Sequence, residues 1–337
     1  METDAKNNLF VPANAQENDV DYIKNVLSFP QLEIISSFWT DKYSTEQGRN
    51  WDKFYNRNGT KFFQNRSYIC DRLLELISQY AGVKADYFEK VHVFFDLGCG
   101  VGNALFNILT FPKFNFEIYA FDVSKNAIKL LLNEYYNLLN VKNIKSSLKG
   151  IGIWDLINEL QPSSFAAPKK DKDFCDCINT ITDLHLPKFE IAALIFVLSA
   201  IPPENFDDVL KNIAFHAGNG AFLYFRDYAA NDAKECRFSL LGRSKLGDHY
   251  YVRNDKTLSY FFETDFLKEL MAKHGFAEVY HNVISLSSSR SYNDKDKIKE
   301  HLHNEKAQNE ITTRIKISKE IRARKWHEAL YVFQTNF

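Results

Sequence analysis

Residues 93–103 read VFFDLGCGVGN, an apolar run that ends in Asp96 and is followed by Gly98, Gly100 and Gly102 before a helical pattern begins. Glycines at such a turn let a ligand approach the backbone with no Cβ in the way, and the helix start beyond them offers unpaired N–H groups. That is the chemistry of a nucleotide-type cofactor loop. The order DxGxGxG differs from the GxGxxG that cradles a dinucleotide pyrophosphate and has the spacing used for S-adenosylmethionine (SAM). A dinucleotide loop and a purely structural turn are the alternatives.

Further residues stand where strands should end. Asp122, in AFDVS, can accept both ribose hydroxyls of an adenosine; helix capping is the competing role, and Ser124 can take it instead. Asp176, between Cys175 and Cys177, can accept from an adenine amino group. No nearby His or second Cys pair completes a tetrahedral site there, so no metal is expected. Ile195, in LIFVLSAIPP, can pack on adenine or fill the core. Arg226, Asp227 and Tyr228 close a fifth strand, at the edge where parallel sheets bind ligands; an Arg–Asp surface pair is the plain alternative.

Only an α/β architecture brings these strand ends together. From residue 91 onward short apolar runs alternate with helical patterns, the mark of a parallel sheet covered on both faces. Strands are predicted over 91–97, 117–121, near 174–177, 191–198, 221–226, 278–286 and 330–337. Helices are predicted over 72–80, 104–109, 126–139 and 206–216, with another capped by Thr264 or Asp265 and stopped at Gly275. The expected fold is a Rossmann-like, seven-stranded, mostly parallel sheet with an antiparallel C-terminal strand and an N-terminal helical extension. Residues 1–33 read as a mobile tail and 34–85 as an aromatic and basic segment; the domain over 86–337 carries insertions near 145–172 and 287–325. Helical stretches are expected within the second insertion, over 298–308 and 311–324.

Composition narrows the class. The 337 residues are 45% hydrophobic and 25% charged, with 29 Phe and 17 Tyr, which suits a globular domain with a sizeable core. Net charge is −1, so a nucleic-acid partner must be held by a local basic face. Five scattered cysteines suit reduced thiols, and no apolar run reaches the roughly 18–20 residues that cross a bilayer. The polar, acidic start is unlike a signal peptide, so the cytosol or nucleus is expected.

Four stretches together resemble the tRNA 3-methylcytidine methyltransferases of the methyltransferase-like, class I SAM-dependent class: residues 38–66 (FWTDKYSTEQGRNWDKFYNRNGTKFFQNR), 94–106 (FFDLGCGVGNALF), 194–206 (LIFVLSAIPPENF) and 225–262 (FRDYAANDAKECRF, then SKLGDHYYVRNDKTLSYFF). The resemblance implies methyl transfer from SAM to N3 of a cytidine in the tRNA anticodon loop, at position 32. It also implies cofactor contacts from Trp51, Tyr55, Gly98, Asp122, Asp176, Cys177 and Ile195, with Gly100 in the same loop, and a target base facing Arg226, Asp227 and Tyr228. Part of the family further implies an aminoacyl-tRNA synthetase, such as seryl-tRNA synthetase, as a partner. The phosphate backbone would be held by Lys53, Arg57, Lys61 and Arg66, and by Arg243, Lys245 and Arg253.

Cytosine N3 carries a lone pair at neutral pH, so its methylation needs alignment more than a strong base. Asp227 is expected to stabilise the cationic product base and Tyr228 to stack it. Two alternatives stand beside this reading: a methyltransferase acting on protein or a small molecule, and a catalytically silent RNA-binding subunit.

Overall fold

The computed structural model describes residues 34–60, 67–80, 82–83, 86–139, 144–168, 186–241, 244–287 and 323–335. The expected tail, the expected strand near 174–177, and Lys61, Arg66, Asp176, Cys177 and Arg243 lie outside them, as does most of 287–325.

The centre of the fold is β1 (His92–Leu97), flanked in parallel by β2 (Phe116–Asp122) and β5 (Phe189–Ile195). Phe94 and Phe95 are both wholly buried, yet they belong to different apolar clusters. Successive side chains point to opposite faces, so a strand covered on both sides must be apolar throughout. On one face, Phe94 packs with α3 (Tyr68–Tyr80), α4 (Leu105–Thr110) and α5 (Lys125–Leu139). On the other, Phe95 packs with α6 (Phe206–His216) and α8 (Thr264–Lys273).

Among the described residues the sheet has eight strands, one more than expected, in the order β10 (Phe276–Ser287), β11 (Ala323–Phe333), β6 (Ala217–Tyr228), β5, β1, β2, β3 (Ser147–Ile153), β4 (Ser164–Ala166). β6 (Ala217–Tyr228) runs parallel to β5, with Ile195 opposite Arg226. β11 (Ala323–Phe333) lies antiparallel between β6 and β10 (Phe276–Ser287). This parallel register carries Asp96, Asp122, Ile195 and Tyr228 to one edge of the sheet, the edge where open α/β sheets bind ligands.

Two expectations are corrected. The third strand is β3 (Ser147–Ile153), inside the stretch read as an insertion, and it pairs parallel with β2 and antiparallel with the short edge strand β4 (Ser164–Ala166). Its Gly150 and Gly152 weaken the strand pattern, and packing demands both. A Cβ at Gly152 would lie 2.2 Å from the Ser164 carbonyl oxygen, and one at Gly150 would lie 2.6 Å from Tyr119. The last strand begins at Ala323, in text read as helical, because its charges Arg324 and Glu328 are paired inside the fold.

A second, three-stranded antiparallel sheet comprises β7 (Lys245–Gly247), β8 (Tyr250–Val252) and β9 (Leu258–Tyr260). Ile35 and Tyr43, the latter in α1 (Ser37–Thr45), pack on it, and the Ile35 N–H donates to the Lys245 carbonyl at 2.9 Å. Part of the aromatic N-terminal segment is thereby half-buried. No helix among the described residues is long and apolar enough to cross a membrane.

Candidate functional site

At the carboxyl edge of the sheet lies a cleft of about 1160 Å³, counting its solvent-open mouth. Its first half is built on the glycine loop. Gly98 and Gly100 have φ of 70° and 54°, and each is pressed by a neighbour: a Cβ at Gly98 would lie 2.3 Å from Val197 Cγ2, and one at Gly100 would lie 2.7 Å from Tyr55 Oη. Tyr55 sits on α2 (Gln47–Asn58), so the N-terminal segment closes down on the loop. Trp51, one helical turn earlier, is tilted over Tyr55 at 5.8 Å and also lines the cleft.

Asp122 turns towards the loop rather than the following helix. Its Oδ2 accepts the Gly100 N–H at 2.9 Å and its Oδ1 the Ser124 N–H at 2.8 Å. Capping of α5 falls to Ser124, whose Oγ accepts the Ala127 N–H at 3.2 Å and donates to Asp52 Oδ1 at 2.6 Å. Asp52 also accepts the Asn126 N–H at 3.1 Å. Thus a residue between Trp51 and Tyr55 bolts α2 to the start of α5, a role that sequence inspection missed.

With β3 placed, the carboxylate beyond the third strand is Asp155. It lines the cleft with Leu156, while its oxygens accept from the Ile157 N–H at 3.0 Å and Asn158 Nδ2 at 2.8 Å. Asp155 and Leu156 therefore occupy the place that the sequence reading gave to Asp176 and Cys177. Ile195 lines the opposite wall.

Burial dominates the electrostatics of this half. It lifts Asp122 to about 6, against the pull of the two backbone N–H groups, and lifts Asp96 to about 7 with the Asp122 charge adding to the effect. Burial, and then Asp122, also push the Tyr55 phenol up. Asp96 lines the cleft, and its Oδ2 is buried with no hydrogen-bond partner among the described residues. Such an atom calls for a ligand that brings a donor.

Asp96 also makes stability depend on pH. Its folded value of about 7 exceeds the ordinary 3.8. Its stabilising contribution is therefore complete below the unfolded value and is lost as pH rises through about 7. Asp96→Asn is expected to raise the melting temperature of the ligand-free protein clearly more at about pH 8 than at about pH 5, where only part of the contribution has been lost. Calorimetric scans at the two pH values check this; equal shifts at both would refute it.

The second half of the cleft is lined by Phe196, Tyr228 and Arg253. Arg253 Nη2 donates to Tyr228 Oη at 3.3 Å. Arg253, Arg324 and Lys234 stand 5.7, 5.7 and 5.6 Å from the centroid of the Tyr228 ring. Burial alone would push this phenol up, but the three cations together outweigh it and hold it below its ordinary value. Lys234 and Arg324 were not singled out from the sequence, because nothing local announces that they meet at Tyr228.

Asp227 does not line the cleft. Wholly buried and lifted by burial to about 6, it accepts the Ser199 N–H at 2.9 Å through Oδ2 and the Tyr228 N–H at 2.8 Å through Oδ1. It braces the wall from behind. Arg226 faces the other side of the sheet, where Nη1 donates to Glu328 at 2.7 Å and the guanidinium lies 4.8 Å from the Tyr68 ring and 5.0 Å from that of Trp326. The structure thus gives Arg226 a structural partner away from the cleft.

The other basic residues separate. Lys53 and Arg57, with Lys256, line a smaller crevice between α2 and the turn after β8. Lys245 pairs with Asp248 at 3.3 Å. Arg253 alone of those expected cations reaches the main cleft among the described residues.

Residues 49–281 match the family model described as a methyltransferase domain. The chain is 34% identical over 253 residues to the tRNA N(3)-cytidine methyltransferase METTL6 of Mus musculus, covering 74% of this chain and 77% of that protein. It is 32% identical over 250 residues to the tRNA N(3)-methylcytidine methyltransferase trm141 of Schizosaccharomyces pombe, covering 74% and 87%. A third relative, the tRNA(Thr) (cytosine(32)-N(3))-methyltransferase of Saccharomyces cerevisiae, is 30% identical over 237 residues, covering 70% of this chain and 33% of that longer protein. A glycine loop closed by an aromatic helix, carboxylates at the carboxyl ends of the first three strands, and these likenesses lead to one assignment: the chain belongs to the tRNA N(3)-cytidine methyltransferase family.

Proposed function

We propose that this protein transfers the methyl group of SAM to N3 of a cytidine in the anticodon loop of tRNA, at position 32. The observation that carries the reading is a single cleft with two chemistries: a glycine loop with Asp122 and Asp155 at one end, and Tyr228 among three cations at the other. A nucleoside cofactor suits the first and a polyanionic substrate the second.

The residues fit SAM. Asp96 offers a partnerless buried acceptor to the methionine ammonium, Asp122 offers acceptor capacity to the ribose, and Asp155 offers the same to the adenine amine, with Ile195 and Leu156 as apolar walls. When bound, SAM supplies an electrophilic methyl group on a sulfonium. Trp51 and Tyr55 shield the loop from water, and Asp227 fixes the wall on which the target base must align. Because cytosine N3 already holds a lone pair, these residues position the reactants and no general base is needed.

An aminoacyl-tRNA synthetase, seryl-tRNA synthetase being the example, belongs to this proposal as a partner, and the cytosol or nucleus as the place of action. Nucleoside mass spectrometry of tRNA from cells lacking the protein tests the substrate. Loss of 3-methylcytidine from a subset of tRNAs is expected, and an unchanged profile overturns the proposal.

A further inference from the structure

Phe196 is a bulky residue with φ of 56°, in the left-handed region where only small or polar residues sit with ease. The other described non-glycine residues with positive φ, Asn231, His249 and Lys256, lie in turns. Phe196 instead directly follows the central strand β5 and lines the cleft. Strain at such a residue persists only where the surroundings enforce it, and it concentrates at functional sites.

β6 enforces it here. The Phe196 N–H donates to the Arg226 carbonyl at 2.7 Å, and the Ser199 N–H three residues on donates to the buried Asp227 carboxylate at 2.9 Å. Between those two anchors the chain has no room to relax. The turn also joins the two halves of the cleft: Val197 presses on Gly98 of the cofactor loop, and the Phe196 ring lies 4.9 Å from that of Tyr228. Phe196 is only partly buried, so part of its ring is presented to the cleft. A residue that merely filled the small cluster of Tyr228, Tyr251 and Phe261 would not require this backbone.

We infer that Phe196 is the platform on which the target cytosine stacks, aimed at the junction of the two half-sites by a backbone that Arg226 and Asp227 hold in strain. This deepens the tRNA-methylation reading and rests on it. Every base has a π-face, so an aromatic ring can hold a base flat while Tyr228 and its cations attend to the edge and the backbone.

The test uses the full chain with tRNA and SAM, and separately an anticodon stem-loop hairpin carrying the fluorescent base pyrrolocytidine at the target position. Phe196→Gly suits the positive φ, so it keeps the backbone and removes only the ring; Phe196→Tyr keeps the ring. The glycine variant is expected to lose about ten- to hundredfold in kcat/KM for tRNA and to lose the quenching of the hairpin probe. Its SAM affinity by calorimetry should stay within about twofold, and Phe196→Tyr should restore both tRNA readouts. If Phe196→Gly methylates and quenches like the wild type, the platform is refuted while tRNA methylation stands. If the wild type itself neither methylates tRNA nor quenches the probe, the functional reading falls and the platform with it.

Discussion

Alanine at Gly98 is expected to weaken SAM binding by roughly five- to 150-fold. The added Cβ would lie 2.3 Å from Val197 Cγ2 and 3.0 Å from Cγ1, at a φ of 70° that alanine rarely adopts. Either the loop withdraws from the end of β5 or Val197 is displaced, and both move a wall of the cofactor half. Overpacking of this kind costs about 1–3 kcal/mol, and about 1.4 kcal/mol is a decade in affinity. Gly220 supplies the control. Its φ is 78° and a Cβ there meets nothing within 4 Å, so Gly220→Ala should bind SAM like the wild type. Calorimetric titration of both variants decides; equal binding at Gly98→Ala would remove the loop from the site.

The second large effect concerns stability. Glu328 is buried, at 1% exposure, and accepts from Arg72 Nε at 2.7 Å, Arg226 Nη1 at 2.7 Å and the Tyr224 hydroxyl at 2.9 Å. Removing one partner of a buried ion pair leaves an uncompensated charge, which costs about 3–5 kcal/mol. Glu328→Ala should lower the denaturation midpoint accordingly, while the protein that remains folded binds SAM normally. Arg226→Met, of similar reach and without charge, should cost less than Glu328→Ala in stability, because the buried Glu328 carboxylate keeps Arg72 as its partner. Should Arg226→Met abolish methylation in fully folded protein, Arg226 has a role at the reaction centre that its place in the structure does not provide.

The contrast between Gly98 and Arg226 shows what the sequence could reveal. The glycine loop was legible because its demands are local: a strand, a tight turn and a helix lie within a dozen residues, and each glycine answers a close approach. Asp122 and Tyr228 were legible as strand ends, since a doubly covered strand announces itself as an unbroken apolar run. Arg226 was not, because the partner that gives it a structural place, Glu328, lies 102 residues further on, in a strand whose charges hid its pattern. β3 escaped for the opposite reason. Gly150 and Gly152 make room for Tyr119 and β4, so contacts remote in sequence erase the alternation by which a strand is recognised. The third carboxylate was therefore sought at Asp176, which lies outside the described residues, whereas the one that follows β3 and lines the cleft is Asp155.

Phe196 marks a further limit. Its residue type is unremarkable in an apolar stretch; only the backbone angle imposed by β6 sets it apart. The same holds for the three cations around Tyr228, drawn from α7 (Ala233–Leu241), the turn after β8, and β11. Such a cluster exists only once the sheet is assembled.

The most direct test of the central claim is transfer of labelled methyl from SAM to unmodified tRNA by the purified full chain, with and without seryl-tRNA synthetase, followed by digestion to nucleosides. Label in 3-methylcytidine, lost with Asp122→Ala, is the result this site predicts. A protein that binds SAM yet leaves every tRNA nucleoside unlabelled, or labels a different one, would contradict it.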